Sequence, residues 1–210
     1  MTAKVLSRAY PEQDTCFKMI RPDIGYIFPG YMKNKYLPEM MEKIGKAAGL
    51  IIDFRCYPSD FLVHSLGDYL VPESTEFVKI TNGSIENPGL FTIDTVLSFG
   101  NTNIDYFKGK VVILVNENTQ SQAEFTTMAL RAAPGAIVIG SVTSGADGNV
   151  TTFMLPGGLT TKMSGIGIYY PDGRETQRIG IVPDIELKPT IRGIREGKDE
   201  LLLKAIEIID

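Results

Sequence analysis

Histidine occurs once in this sequence, at position 64, and tryptophan not at all, while cysteine is confined to positions 16 and 56. Cys16 and Cys56 do not make a metal-ligand spacing, and two cysteines in a chain of this size are no disulfide framework, so both are expected as free thiols. No metal and no cofactor is expected. An excess of basic charge is also lacking: 21 Lys and Arg stand against 25 Asp and Glu, for a formal net charge of -4. Without a Lys/Arg run interleaved with aromatics, nucleic acid is not expected as a partner. Long apolar runs are missing too. Residues 111–115 are among the longest, far below the roughly 20 residues a membrane span requires, and the first residues do not follow the basic-then-apolar pattern of a signal peptide. No membrane span is expected.

What is present is enough chain, 210 residues, for one sizeable core. No repeat, low-complexity linker or composition break divides it, so a single domain over residues 1–210 is expected. Short apolar alternations over residues 4–9 and 17–28 indicate strands, clearest at Ile24-Gly25-Tyr26-Ile27. Leu37, Met40, Met41, Ile44, Ala47 and Ala48 fall at helical spacing, with Pro38 in the first turn and Gly49 past the end. Residues 50–54 read as a buried strand and complete a β-α-β unit. A helix is expected from about residue 60 to 71, extended segments at 76–80 and 90–99, and a buried strand at 136–140. A hairpin follows over 151–155 and 159–163 around Pro156-Gly157-Gly158. Residues 166–170 read as a further strand, and residues 198–209 as a terminal helix. Buried strands separated by helices, with antiparallel additions late in the chain, define an α/β layered fold.

The stretch from 111 to 133 organises the rest. Val111-Val112-Ile113-Leu114-Val115 has the composition of a strand buried on both faces, and Phe125, Met128, Ala129, Ala132 and Ala133 form one helical stripe. Ser121 therefore stands where a buried strand gives way to a helix. There the first helical amides are unpaired and could stabilise an oxyanion. The same Ser121-x-x-Glu124 pattern is also a capping box. In α/β sheets ligands collect beyond the carboxyl ends of the strands, so the loops after Phe54, Val115 and Gly140 are expected to share one site.

Three motifs in one order carry a resemblance. Asp53-Phe54-Arg55-Cys56-Tyr57-Pro58-Ser59 resembles the Asp-Leu-Arg-x-Asn-x-Gly-Gly segment of the C-terminal processing (tail-specific) serine proteases. Residues 116–124 are similar to their Asn-x-x-Thr/Ala-Ser-Ala-x-Glu nucleophile turn, and Gly180-Ile181-Val182-Pro183-Asp184 to their Gly-Val-x-Pro-Asp ending. With Gly140 to Gly145 the likeness spans most of residues 24–184. It implies a Clp-protease/crotonase-like α/β fold with a mixed sheet and late antiparallel strands, and endopeptidase activity on unstructured peptide or protein. It also implies an extracytoplasmic location, in periplasm or cell envelope.

By the same resemblance Ser121 takes the nucleophile position and Gln122 N–H one oxyanion position. The second amide falls at Ser59; a shift of one residue would place Pro58 there, which has no N–H. The lysine that the bacterial tail-specific branch places after its Gly-x-x-Thr-x-Gly loop is missing, because Ala146-Asp147 follows Gly145. The tricorn-like branch uses a histidine from an upstream segment with a late glutamate, and Gln177 fits that glutamate by its spacing to Gly180, with Glu175 as the acidic alternative. His64 lies about 160° around its helix from the mean direction of Leu62, Leu66, Tyr69 and Leu70, which describes a solvated face. These residues are thus read as the core fragment of a serine endopeptidase whose base, a histidine, lies upstream. The other readings are a non-catalytic peptide-binding pseudoenzyme of the same fold and a crotonase-like acyl-group enzyme.

Overall fold

The apolar runs pair into one mixed sheet that the helices cover from both sides. The computed structural model describes residues 16–210, and the strand expected over residues 4–9 lies outside them. In chain order the elements are β1 (Phe17–Arg21), β2 (Ile24–Ile27), α1 (Leu37–Ile44), β3 (Gly49–Asp53), α2 (Val63–Leu70), β4 (Thr75–Gly83), β5 (Phe91–Phe99), β6 (Lys110–Val115) and α3 (Gln122–Leu130). There follow β7 (Ile137–Gly140), β8 (Val150–Leu155), β9 (Leu159–Ser164), β10 (Ile168–Tyr169), β11 (Ile185–Glu186), α4 (Ile191–Arg195) and α5 (Glu200–Ile209). The main sheet runs β1-β2-β3-β6-β7-β11. All neighbours are parallel except β1, which pairs antiparallel with β2. A hairpin of β4 and β5 carries β10 on its other edge, and β8 and β9 form a separate two-stranded ribbon.

Side chains on a strand alternate between faces, and the central strands are apolar on both. Ile52, Val111, Ile113, Val115 and Val138 pack with residues of α1, α2 and α3, including Met40, Ile44, Leu66, Met128 and Leu130. Ile51, Val112, Leu114 and Ile139 pack with Leu201, Ala205 and Ile209 of α5. This two-sided burial is why these strands read as continuous apolar runs.

Two helices are shorter than their spacing predicts. α1 stops at Ile44, because Gly45 adopts φ 46° and its N–H returns to the Met41 carbonyl at 2.8 Å; Ala47 and Ala48 belong to the turn beyond. α2 begins at Val63, because the Asp60 carboxylate instead accepts from Asn34 N–H (3.0 Å) and Phe61 N–H (3.1 Å). α3 departs in another way. Ala123, Glu124, Thr126, Thr127, Met128, Ala129 and Leu130 are all buried, so it is a core helix rather than one with a single apolar stripe. Thr126 and Thr127 meet their hydroxyl requirement internally by donating to the Gln122 and Ala123 carbonyls, both at 2.7 Å.

α5 is fastened to the end of β3 by one arginine. The Arg55 guanidinium donates to both oxygens of buried Asp53 (2.9 and 2.7 Å) and to both oxygens of Asp199, the N-cap residue of α5 (2.9 and 2.6 Å). Tyr26 Oη completes the set by donating to Asp53 Oδ2 at 2.7 Å. The fork geometry of a guanidinium is what allows two carboxylates to be held at once. This clamp sets where the chain leaves β3 toward Ser59.

Candidate active site

The loops after β3, β6 and β7 meet, and two buried side chains, one from the middle loop and one from the first turn of α3, tie them together. Thr119 Oγ1 donates to the Phe54 carbonyl at 2.8 Å and accepts from Asn116 N–H at 3.0 Å. Its own carbonyl accepts from Ser144 N–H at 3.1 Å and Ser144 Oγ at 2.9 Å. Gln122 adds a further link, its Nε2 donating to the Asp60 carbonyl at 2.6 Å. The three loops thus meet through hydrogen bonds.

Glu124, 1 % exposed, is the second tie. Its Oε2 accepts from Ser121 N–H and Ala146 N–H, both at 2.9 Å, and its Oε1 from Gly145 N–H at 2.8 Å and from the Thr143 hydroxyl. The Ser121 and Ala146 amides, sharing one oxygen, are separated by no more than twice that contact distance. Thr143 Oγ1 in turn accepts from Ile181 N–H at 2.7 Å, which carries the connection to the Gly180-Ile181 segment. Gly140, with φ 141°, is needed at the root of the loop: a Cβ there would lie 1.8 Å from the Val115 carbonyl oxygen.

Ser121 and Glu124 form a capping box, so the structural role read from the tetrapeptide is real. It is accompanied by a conformation that capping does not require. N-cap residues ordinarily lie in the β region, whereas Ser121 has φ 51° and ψ -118°. Among the described residues other than glycine only Ser121 and Arg178 have positive φ. Such backbone costs on the order of 1–3 kcal/mol and persists where the surroundings enforce it. The enforcing contacts are those of Glu124. Ser121 thus occupies a strained strand-to-helix corner beside the first amides of α3.

The other residues expected at the site are placed as follows. Gln122 N–H, the first amide of α3, makes no hydrogen bond to another described residue, as an oxyanion donor requires. Ser59 lies in the adjoining loop, but its N–H donates to the Pro29 carbonyl at 3.0 Å and its hydroxyl to the Met32 carbonyl at 2.5 Å; in this arrangement that amide is engaged. Gln177 turns inward, and its Nε2 donates to the Asp147 and Ile166 carbonyls, both at 2.9 Å. Glu175 is exposed and lies 3.7 Å from Arg178. Gln177 and Glu175 both line a cavity of about 490 Å³ together with residues 145–148, Ser164, Tyr169 and Arg178. His64 is exposed on α2, with its ring 6.0 Å from that of Phe61.

Sequence reasoning missed two members of this assembly. Thr119 looked like one polar turn residue among several, and nothing in its neighbours marks it as buried. In the sequence Asp147 stands out only for following the position of the missing lysine. It is buried, and burial pushes its pKa up to about 7, with the nearby Glu124 charge adding to the rise and Gly148 N–H opposing it. A carboxylate in a glycine-rich loop was the available signal.

Comparison with known proteins agrees with this architecture. No curated protein sequence matches the chain. Among solved structures it is similar to a Parabacteroides merdae protein described as a candidate peptidase, with a TM-score of 0.81 at 20 % identity, over 92 % of this chain and 63 % of that one. The photosystem II D1 C-terminal processing protease gives 0.59 at 22 % identity, over 80 % and 43 %. The tricorn protease gives 0.60 at 20 % identity, over 89 % and 18 %. The chain thus spans less than two thirds of the length of each of these proteins, and at such identities the likeness establishes the layered α/β fold with its mixed sheet. The sequence model of Peptidase family S41 matches residues 23–187, which takes in the β3 loop, the Ser121 turn, the Gly140 loop and the Gly180 ending: the chain belongs to Peptidase family S41.

Proposed function

We propose that this chain is the catalytic-core domain of a serine-type endopeptidase acting on unstructured peptide or protein, with Ser121 as nucleophile. The observation that carries the reading is the strained Ser121 backbone beside the unpaired Gln122 N–H. The hydroxyl would attack a peptide carbonyl, and the oxygen that becomes negative would be received by Gln122 N–H at the positive end of α3. Ser59 N–H would be the second donor if its bond to Pro29 exchanged for one to substrate. Gln177, with Glu175 as alternative, would orient the base. Serine needs such a base, and neither Ala146 nor the solvated His64 offers one, so the base is assigned to a histidine upstream of the segments described. The family membership supports the serine-type peptidase class. Likeness to a Streptococcus agalactiae lipoprotein (TM-score 0.60, 16 % identity, 92 % of this chain and 68 % of that one) and to the D1 processing protease supports an extracytoplasmic location. No helix among the described residues is long and apolar enough to cross a membrane.

The test is labelling by a fluorophosphonate, which forms a bond to an activated serine. A longer form of the protein carrying an upstream histidine is expected to label at Ser121 and to cleave casein. Both should be lost in Ser121→Ala, and the 210-residue chain should do neither well. Labelling elsewhere, or cleavage that survives Ser121→Ala, would overturn the assignment. A specific observation favours one second reading, a peptide-binding pseudoenzyme: the engagement of Ser59 N–H with Pro29 leaves one oxyanion donor short. Tight peptide binding by the longer form without labelling would select it.

A further inference from the structure

The loop from β7 to β8 contains a carboxyl group for which the Ser121 chemistry has no use. Asp147 is 6 % exposed. Its Oδ1 accepts from Gly148 N–H at 2.7 Å and its main-chain carbonyl from Gln177 Nε2 at 2.9 Å. Its Oδ2 is buried and has no hydrogen-bond partner among the described residues. Native interiors contain few such atoms, and an unpaired charge at one is far more costly than a neutral hydroxyl. The surroundings give no relief. From α3 comes the Glu124 carboxylate, which already holds the amides of Gly145 and Ala146. From the segment after β10 come Glu175 and Arg178, the latter 87 % exposed and turned to Glu175 at 3.7 Å; β10 itself brings the Tyr169 phenol to the cavity.

Glycines at positive φ, Gly145 at 64° and Gly148 at 107°, flank Ala146-Asp147, and the cavity of about 490 Å³ lies alongside. Ala146 N–H shares Glu124 Oε2 with Ser121 N–H. Any displacement of Asp147 is therefore passed in one residue to the group that holds Ser121 in its strained backbone.

We propose that Asp147 is a proton-operated latch on the 145–148 loop: protonated, it stays packed beneath the loop; ionised, it releases its proton to solvent and swings into the cavity, drawing Ala146 off Glu124 and loosening the Ser121 turn. Burial, which pushes the Asp147 pKa up to about 7, places the transition near neutral pH. The inference does not depend on Ser121 being a nucleophile, and its test uses no activity. In the 210-residue chain the Asp147 carboxyl carbon, followed by NMR, is expected to titrate near pH 7. Hydrogen-exchange protection of the Gly145, Ala146 and Gly148 amides, corrected for the intrinsic pH dependence, should fall by up to about tenfold for each pH unit as pH rises from the ordinary carboxylate range to that midpoint, and level off above it. Asp147→Asn should hold protection constant from pH 5.5 to 8.5. A midpoint below about pH 5, protection indifferent to pH, or a pH step that survives Asp147→Asn would each overturn the latch. Should Asp147→Asn fail to fold, the titration and exchange of the unsubstituted chain decide by themselves.

Discussion

Replacing Glu124 by glutamine tests whether one buried carboxylate holds the site together. A carboxylate offers two acceptor oxygens, and here donors converge on both: Ser121 N–H and Ala146 N–H on Oε2, Gly145 N–H and the Thr143 hydroxyl on Oε1. Ser144 Oγ stands 3.4 Å from Oε2, but its single proton is better placed on the Thr119 carbonyl at 2.9 Å. Glutamine keeps the shape and replaces one oxygen by an NH2 group, which only donates. With the NH2 on the Oε2 side, two backbone N–H groups lose their acceptor. With the NH2 on the Oε1 side, the Thr143 hydroxyl can turn to accept, and Gly145 N–H alone is stranded. The second arrangement is cheaper. A stranded buried donor costs about 1–3 kcal/mol, and the two remaining bonds fall from charge-assisted to neutral strength, about 1 kcal/mol each. The expected loss is thus roughly 3–5 kcal/mol out of the 5–15 kcal/mol typical of a domain. Equilibrium urea unfolding followed by far-UV circular dichroism measures it. Glu39→Gln, at an exposed carboxylate paired with Lys43, serves as the surface control and should leave the midpoint in place. A Glu124→Gln loss below about 1 kcal/mol with an unchanged slope would mean that the carboxylate is not the clamp the geometry makes it.

Gly140→Ala forces a Cβ to 1.8 Å from the Val115 carbonyl oxygen, so it should abolish cooperative unfolding or cut stability by more than about 3 kcal/mol; Gly165→Ala, where a Cβ meets nothing within 4 Å, should not. Burial pushes the Asp199 carboxyl up, but hydrogen bonds and charge from Arg55 outweigh it and hold the group below its ordinary value. A depressed carboxylate contributes stability that is present above its unfolded pKa and lost as pH falls through the folded one. Arg55→Lys, which keeps the charge and gives up the fork, should therefore raise the pH midpoint of acid unfolding; an unchanged midpoint would deny the clamp. Gln177→Ala removes the bonds to the Asp147 and Ile166 carbonyls and should lower both thermal stability and, in the longer form, kcat, while Glu175→Ala changes either little. The reverse ranking in kcat would transfer the orienting role to Glu175.

The sheet was legible because its strands are buried on both faces, so that residues 50–52, 111–115 and 136–139 each form an uninterrupted apolar run. The corner at Ser121 was legible for a related reason: such a run followed by a cap pattern marks a strand-to-helix junction. β11 and α4 were not seen, since elements of two and five residues are too short to display a period and exist through what they pack against. The same limit hid the interior of the site. Thr119 and Asp147 sit in stretches whose composition reads as solvent-facing loop, and only the meeting of three loops buries them. Ser59 illustrates the converse. Its position was read from motif spacing, but whether its amide is free depends on Pro29, thirty residues away, a tertiary fact that no local pattern encodes. Gln177 and Glu175 fall between these cases: spacing favoured Gln177, and Glu175 is the last residue in extended pairing, with Tyr169. The chain then turns, with Ile179 N–H and Gly180 N–H donating to the Thr176 carbonyl at 3.2 and 2.7 Å, so the regular strand that would have put residues 175 and 177 on one face ends between them. Within that turn Arg178, at φ 66°, donates its N–H to the Gly145 carbonyl at 2.7 Å. Arg178 and Ser121 thus hold the 145–148 loop between two strained corners.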